Sequence, residues 1–419
     1  MKDGLNTIAF SRGTGLTQLP PLSVYVHLPW CIRKCPYCDF NSHEAPAGGA
    51  DEAVYLDALE ADLDASLPLV WGRSVQTIFI GGGTPSLFSP EGINRLLAAV
   101  RARLRVAPGA EVTMEANPGT FERERFSGFR DAGVNRLSLG VQSFDDERLA
   151  AIGRVHDARQ AKEAAAAARE LFPTFNLDLM FALPGQTPAQ LAEDVAQALA
   201  FEPPHLSLYH LTLEPNTFFA RFPPQLPDED QAAAMQEAIE AQLSAAGFEH
   251  YEISAYARTG HRARHNLNYW TFGDYLGLGA GAHGKLSFHD RIVRYVRYRH
   301  PRHYVEAALA GNAVEVERRL PTADLPFEFM LNALRLTEGV PASLFQEHTG
   351  QSLATVSAKL ERAVQKGLLT ADPARLAATP LGLRFLNDLQ EIFLPQPFRA
   401  KKPSSRSTIT VHRPAPARR

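Results

Sequence analysis

The sequence predicts an α/β protein: a parallel sheet covered by helices, followed by a small, mostly helical module. Three observations carry this. Short runs rich in β-branched and aromatic residues recur along the first 211 residues, each leads into a helical pattern or a loop before one, and from residue 324 the pattern is helical alone. The runs are 23–27, 75–80, 111–115, 136–139, 175–180 and 205–211. After the first, Leu56, Leu59, Leu63 and Leu67 share one helix face, and Ser89-Pro90 and Thr187-Pro188 each place an N-cap before a proline at the first helical position. Such alternation allows a partial barrel and an open doubly wound sheet equally. Either one gathers the carboxyl ends of its strands into a single site.

Beyond residue 255 the regularity fades into a Gly-rich loop, 273–284, and an Arg/Tyr/His stretch, 291–304. Within 324–394, Leu360, Val364 and Leu368 lead into Leu369-Thr370 in the manner of a helix-turn-helix or winged-helix module. Its slightly acidic balance favours docking or a lid over DNA reading. The divisions expected are an extension at 1–20, the main α/β unit at 21–255, a connecting region at 256–320, the helical module at 321–394 and a tail at 395–419. Residues 396–419 hold seven Lys/Arg, four prolines and no acid, the composition of a solvated disordered arm.

At 45% hydrophobic and 21% charged residues, the chain is expected to be soluble and globular rather than disordered or fibrous. The net charge of −3 supplies no global field for nucleic acid, and none is expected as a partner. No stretch approaches the length of a membrane span and the polar start lacks the apolar run of a secretory signal, so a cytoplasmic chain with at most peripheral membrane contact is expected.

All three cysteines lie in Cys31-Ile32-Arg33-Lys34-Cys35-Pro36-Tyr37-Cys38, directly after the first strand. Three thiolates on one loop can hold three corners of an iron–sulfur cubane and leave the fourth iron open. A zinc ion with His43 as fourth ligand is the alternative, weakened because a chain with so large a core gains little from a zinc staple. Arg33 and Lys34 would favour thiolates. After the second strand, Gly81-Gly82-Gly83-Thr84-Pro85 allows close approach of a ligand to backbone, with N–H donors left unpaired.

The C-x3-C-x2-C loop, with Tyr37 before its last cysteine, resembles the signature of the radical S-adenosylmethionine (SAM) enzymes. That resemblance implies a partial (β/α)6 barrel, a [4Fe–4S] cluster on Cys31, Cys35 and Cys38, and SAM chelated at the open iron, where electron transfer cleaves its sulfonium to a 5′-deoxyadenosyl radical. The glycine loop is similar to that of the coproporphyrinogen-oxidase branch. It implies SAM contacts at Tyr25, Gly82, Gly83, Thr84, Glu115, Gln142, Arg154 and Asp178. These types suit the ligand, since Arg154 can fork onto a carboxylate and Glu115 and Asp178 can accept from an ammonium or a ribose.

Two functions divide the branch. Oxygen-independent coproporphyrinogen oxidases carry a further cysteine two places after the cluster, where this chain has Phe40. His265-Asn266-Leu267-Asn268-Tyr269-Trp270 resembles the H-N-x-x-Y-W motif of the branch's haem chaperones. The chaperone reading implies haem as ligand with His265 on its iron, respiratory haem apoproteins as recipients, and a possible homodimer. Arg291, Arg294, Arg297 and Arg299, interleaved with Tyr295 and Tyr298, are expected as a solvated basic strand, with haem propionates or an acidic partner as the alternatives. Oxidative decarboxylation of coproporphyrinogen and a cofactor-poor binding module are the competing functions.

Overall fold

A computed structural model describes residues 15–46, 49, 51–119 and 122–395. The basic tail beyond residue 395, and the extension up to residue 14, lie outside the described residues. The strands in chain order are β1 (Leu22–Leu28), β2 (Trp30–Cys31), β3 (His43–Glu44), β4 (Ser74–Gly82), β5 (Arg105–Ala116), β6 (Arg136–Gln142), β7 (Thr174–Phe181), β8 (His205–His210), β9 (Glu249–Glu252), β10 (Ala255–Ala257), β11 (Asp274–Leu278), β12 (His283–Ser287), β13 (Ile292–Arg297), β14 (Val314–Arg319), β15 (Val340–Pro341) and β16 (Arg375–Leu376).

All six predicted strands are present as β1, β4, β5, β6, β7 and β8, and they lie side by side in that order, mutually parallel. A doubly wound sheet would reverse its order at a switch point. This one does not: its six strands follow chain order without reversal, and β1 and β8 do not pair. The sheet extends antiparallel beyond β8 through β10 and β9, and beyond β1 through the parallel β11 into β12, β13 and β14.

The connecting helices are α1 (Glu52–Val70), α2 (Pro90–Arg103), α3 (Glu122–Ala132), α4 (Asp146–Ala151), α5 (Ala158–Leu171), α6 (Pro188–Ala200), α7 (Phe218–Arg221) and α8 (Glu229–Ala245). Ser89 caps α2 by accepting from the Gly92 amide, and Thr187 forms a reciprocal capping box with Gln190 on α6. α1 packs on α2, α2 on α3, α3 on α5, and α6 on α8. Strand alternation then sorts the side chains: Met114, Leu137, Leu139, Leu177, Leu206 and Leu208 join the helices' core. Their neighbours Thr113, Glu115, Ser138, Asn176, Asp178, Ser207 and Tyr209 line a cavity on the opposite face. A parallel strand buried on both sides normally reads as a continuous apolar run; here alternate positions are polar because that face holds the site.

The expected Gly-rich loop at 273–284 instead contains β11, which pairs with β1, and the start of β12 beyond it. The Arg/Tyr/His stretch becomes β13 and the beginning of the helix Pro301–Leu309. The expected solvated basic strand does not hold either. Arg297 is buried against Asp62 at 2.8 Å, Arg294 binds Glu328 at 2.6 Å, and Arg291 binds Asp290 at 2.9 Å. The C-terminal helices bury Phe329, Phe345, Leu389 and Phe393 in a second core that also takes in Tyr251, Phe272 and Ile292, and β15 pairs with β16 as a minimal wing.

Candidate functional site

The cavity over the carboxyl half of β4 to β8 has a volume of about 830 Å³, and Cys31, Cys35 and Cys38 line it together with Gly82, Glu115, Arg154 and Asp178. The cysteine loop is tied at both ends: Trp30–Cys31 pairs with His43–Glu44, and the Cys38 amide donates to the Cys35 carbonyl. Polar groups surround the sulfurs. Thr84 Oγ1 donates to Cys31 Sγ at 3.5 Å, Ser42 Oγ lies 3.6 Å from Cys38 Sγ, and Arg154 Nη1 lies 3.8 Å from Cys35 Sγ. Arg33 and Lys34 reach backbone carbonyls, Gly153 O at 2.7 Å and Phe40 O at 2.9 Å. Lys34 still lowers the Cys38 thiol electrostatically, but burial outweighs it and pushes both Cys31 and Cys38 up.

This donor set fits an iron–sulfur cluster. A cubane binds each thiolate to its own iron and so holds the sulfurs apart, whereas zinc needs its donors on one tetrahedron. Among the described residues no three His, Cys, Asp or Glu side chains converge on one ion. The His43 ring instead packs edge-on against Trp30 and His300.

The residues singled out for SAM divide by position. Gly82, Gly83, Thr84, Glu115, Gln142, Arg154 and Asp178 line the cavity; Tyr25 lines a second one beside it and bonds His27 Nδ1 at 2.9 Å. The glycine loop does not offer unpaired N–H groups, contrary to expectation. Gly82 N donates to Glu115 Oε2 at 3.0 Å, Gly83 N to Leu28 O at 2.8 Å and Thr84 N to Trp30 O at 2.8 Å. Its glycines are required by contact: at φ +123° a Cβ on Gly82 would sit 2.8 Å from the His27 ring. Gln142 also adopts positive φ, 69°, where the chain turns out of β6 into the cavity wall.

Arg154 is held by Asn117 Oδ1 and Gly140 O, each at 2.7 Å, with Nε buried and without a partner among the described residues. Asn117, which sequence reasoning did not single out, joins this guanidinium to the cysteine loop, since its Nδ2 donates to Thr84 Oγ1 at 2.8 Å. Ser138, Asn176 and Ser207 are the other residues missed. Ser138 and Asn176 donate to Asp178 at 3.0 and 2.8 Å, and Ser207 lowers it by hydrogen bonding. Their signal was available as the polar alternation along β6, β7 and β8.

Burial, and then the facing Asp178, push Glu115 up to about 8, against the Gly82 N–H that favours its charge. Burial raises Asp178 as well. Two buried carboxyls in one cavity, one raising the other, are a receptor for positive charge, such as a sulfonium and an ammonium. The folded Glu115 therefore holds a proton from its ordinary value of 4.5 up to about 8, where the unfolded chain has lost it. Its contribution to stability is complete below the lower value and is lost as pH rises through the upper one. Thermal unfolding should show a falling midpoint between pH 6 and pH 8, with a shallower fall for Glu115→Gln. Equal slopes in the two proteins would contradict this assignment.

His265 lies elsewhere. It lies in the first turn of the helix α9 (Arg264–Trp270), which packs on β1, β4, β5 and β11, and it is 1% exposed. Its Nδ1 bonds Thr77 Oγ1 at 2.8 Å, its Nε2 bonds the Tyr269 hydroxyl at 2.9 Å, and its amide donates to Glu111. Both nitrogens are committed, so the expectation of His265 as the iron ligand is not met by this arrangement. The motif's His, Asn268 and Tyr269 act here as a packed hydrogen-bonded wedge, Asn268 reaching Asp274 O at 2.9 Å. Among the described residues no helix is long and apolar enough to cross a membrane.

Residues 25–198 match the radical SAM superfamily and residues 320–385 match the HemN C-terminal domain. The chain is 48% identical to "Heme chaperone HemW" of Escherichia coli over 90% of its own length and 100% of that protein's, and 36% identical to the protein of the same name in Bacillus subtilis over 89% and 99%. A solved structure, coproporphyrinogen III oxidase (HemN) from Escherichia coli, superposes with a TM-score of 0.77 at 24% identity and covers 91% of each chain. That likeness speaks for the fold.

Proposed function

The chain belongs to the radical SAM superfamily, in the family of the haem chaperone HemW, and from that premise we propose that it binds haem in the cytoplasm and delivers it to respiratory haem apoproteins such as membrane cytochromes. In this reading Cys31, Cys35 and Cys38 hold a [4Fe–4S] cluster, and Gly82, Gly83, Thr84, Glu115, Gln142, Arg154 and Asp178 seat SAM, with Tyr25 at the margin. The observation that carries it is the meeting of three thiols and two charge-starved carboxyls at one cavity. When bound, the cluster would supply an electron and an open iron for an aminoacyl chelate.

The protein's own residues do the rest. Glu115 and Asp178 accept from cationic or hydroxyl groups, and the Arg154 guanidinium sits between the cysteine loop and the end of β6, a cation suited to a ligand carboxylate. Phe40, 61% exposed at the rim of both cavities, offers no sulfur at the position where the oxidases have one.

Anaerobic reconstitution is expected to give about four iron and four sulfide per chain. SAM should perturb the electron paramagnetic resonance spectrum of the reduced protein, and haem should titrate with a saturable Soret change. Coproporphyrinogen should yield no carbon dioxide. Absence of both iron and haem binding would favour a cofactor-poor binding module, and carbon dioxide release would restore the oxidase.

A further inference from the structure

The second cavity, of about 760 Å³, adjoins the first; Cys38, Phe40, Gly82 and Glu115 line both. Its volume falls within the range of cofactor sites, roughly 300–1,000 Å³. The walls are aromatic, with Tyr25, Tyr269, Trp270 and Tyr275, and the Trp270 Nε1 donor is buried without a partner among the described residues. Two basic side chains also line it without partners among the described residues. The His283 imidazole, at the exposed start of β12, makes no hydrogen bond among the described residues, and neither does the Arg299 guanidinium. The other histidine here, His27, has both nitrogens engaged, by Tyr25 and by Asn41 O at 3.0 Å.

Resting on the chaperone reading, we propose that this second cavity is the haem seat, with His283 rather than His265 as the iron ligand and Arg299 meeting a propionate. A porphyrin needs broad aromatic area, a free imidazole nitrogen for its metal and cations for its carboxylates. His283 and Arg299 are close enough that the guanidinium's charge lowers the imidazole, with burial the larger cause, so the ring is neutral and its lone pair available. His210 also makes no hydrogen bond among the described residues, but it stacks on Phe181 and lines the first cavity.

The test is haem titration of the full chain as wild type, His283→Ala, His210→Ala and Arg299→Ala. Soret position and ferric low-spin resonance are the readouts, and iron–sulfur content after reconstitution reports on the fold. His283→Ala is expected to lose the low-spin signature and to weaken haem about tenfold or more, with added imidazole restoring the spectrum, whereas His210→Ala matches wild type. Arg299→Ala should weaken haem but not its dimethyl ester, which has no charged propionates. An unchanged spectrum in His283→Ala, while wild type binds, overturns the seat and leaves the chaperone reading intact. Failure of the wild type to bind saturably overturns the chaperone reading itself, and the seat with it.

Discussion

Replacing any one of Cys31, Cys35 and Cys38 by alanine is expected to take reconstituted iron and sulfide from about four per chain to background. Each sulfur would hold a separate iron, so two thiolates leave half of a cubane without protein ligands. The surrounding groups predict a graded series below that loss. Thr84→Val removes the donor to Cys31, and Arg154→Gln removes the cation beside Cys35. Loss of such outer partners typically costs about 10–100-fold in affinity and leaves assembly possible at higher iron. Because burial pushes the Cys31 and Cys38 thiols up, assembly must also displace their protons, and uptake should improve as pH rises above 7. Iron and sulfide assays with visible absorption check the series. Full iron in Cys35→Ala, or a bound zinc lost equally in His43→Ala, would place the chemistry elsewhere.

How far the sequence was legible follows from how local each determinant is. The six central strands could be read because their apolar runs report burial against helices within the same βα unit. Residues at their carboxyl ends, such as Glu115 and Asp178, could be located because strand periodicity alone fixes their face. The strands β11 and β12, which continue the sheet beyond β1, were hidden. Their glycines dilute strand propensity, and the reason for them is distant: a Cβ on Gly284 would stand 2.0 Å from the Tyr295 ring. Arg297 read as a solvated charge because its partner Asp62 is 235 residues away on α1. His265 read as a ligand because a motif specifies residue types and order, whereas the committed state of both its nitrogens depends on Thr77, 188 residues earlier.

The largest stability effect is expected at another of these distant links. Asp274, fully buried at the start of β11, lies 2.8 Å from Arg73 Nη1 and 2.9 Å from Lys285 Nζ, and it accepts from Ser287 N at 2.9 Å and Ser287 Oγ at 2.8 Å. Burial alone would push this carboxyl up, but Lys285 and Arg73 outweigh it and hold the group below its ordinary 3.8. Its contribution is therefore present above that value and is lost as pH falls through the lower folded one. Asp274→Ala leaves the Lys285 ammonium, 1% exposed, with no acidic partner among the described residues, held by carbonyls, Ser287 Oγ and the Phe272 ring, and should cost about 3–5 kcal/mol at pH 7. Replacing the pair together, Asp274→Ala with Lys285→Met, removes the stranded charge, and should recover most of that loss because an apolar substitute for a buried pair is often near neutral. Denaturant unfolding of the two single variants and the double variant measures the cycle. A loss under about 1 kcal/mol for Asp274→Ala, or a double variant no better than the single, would mean that water reaches this corner and that β11 is held by its backbone ladder alone.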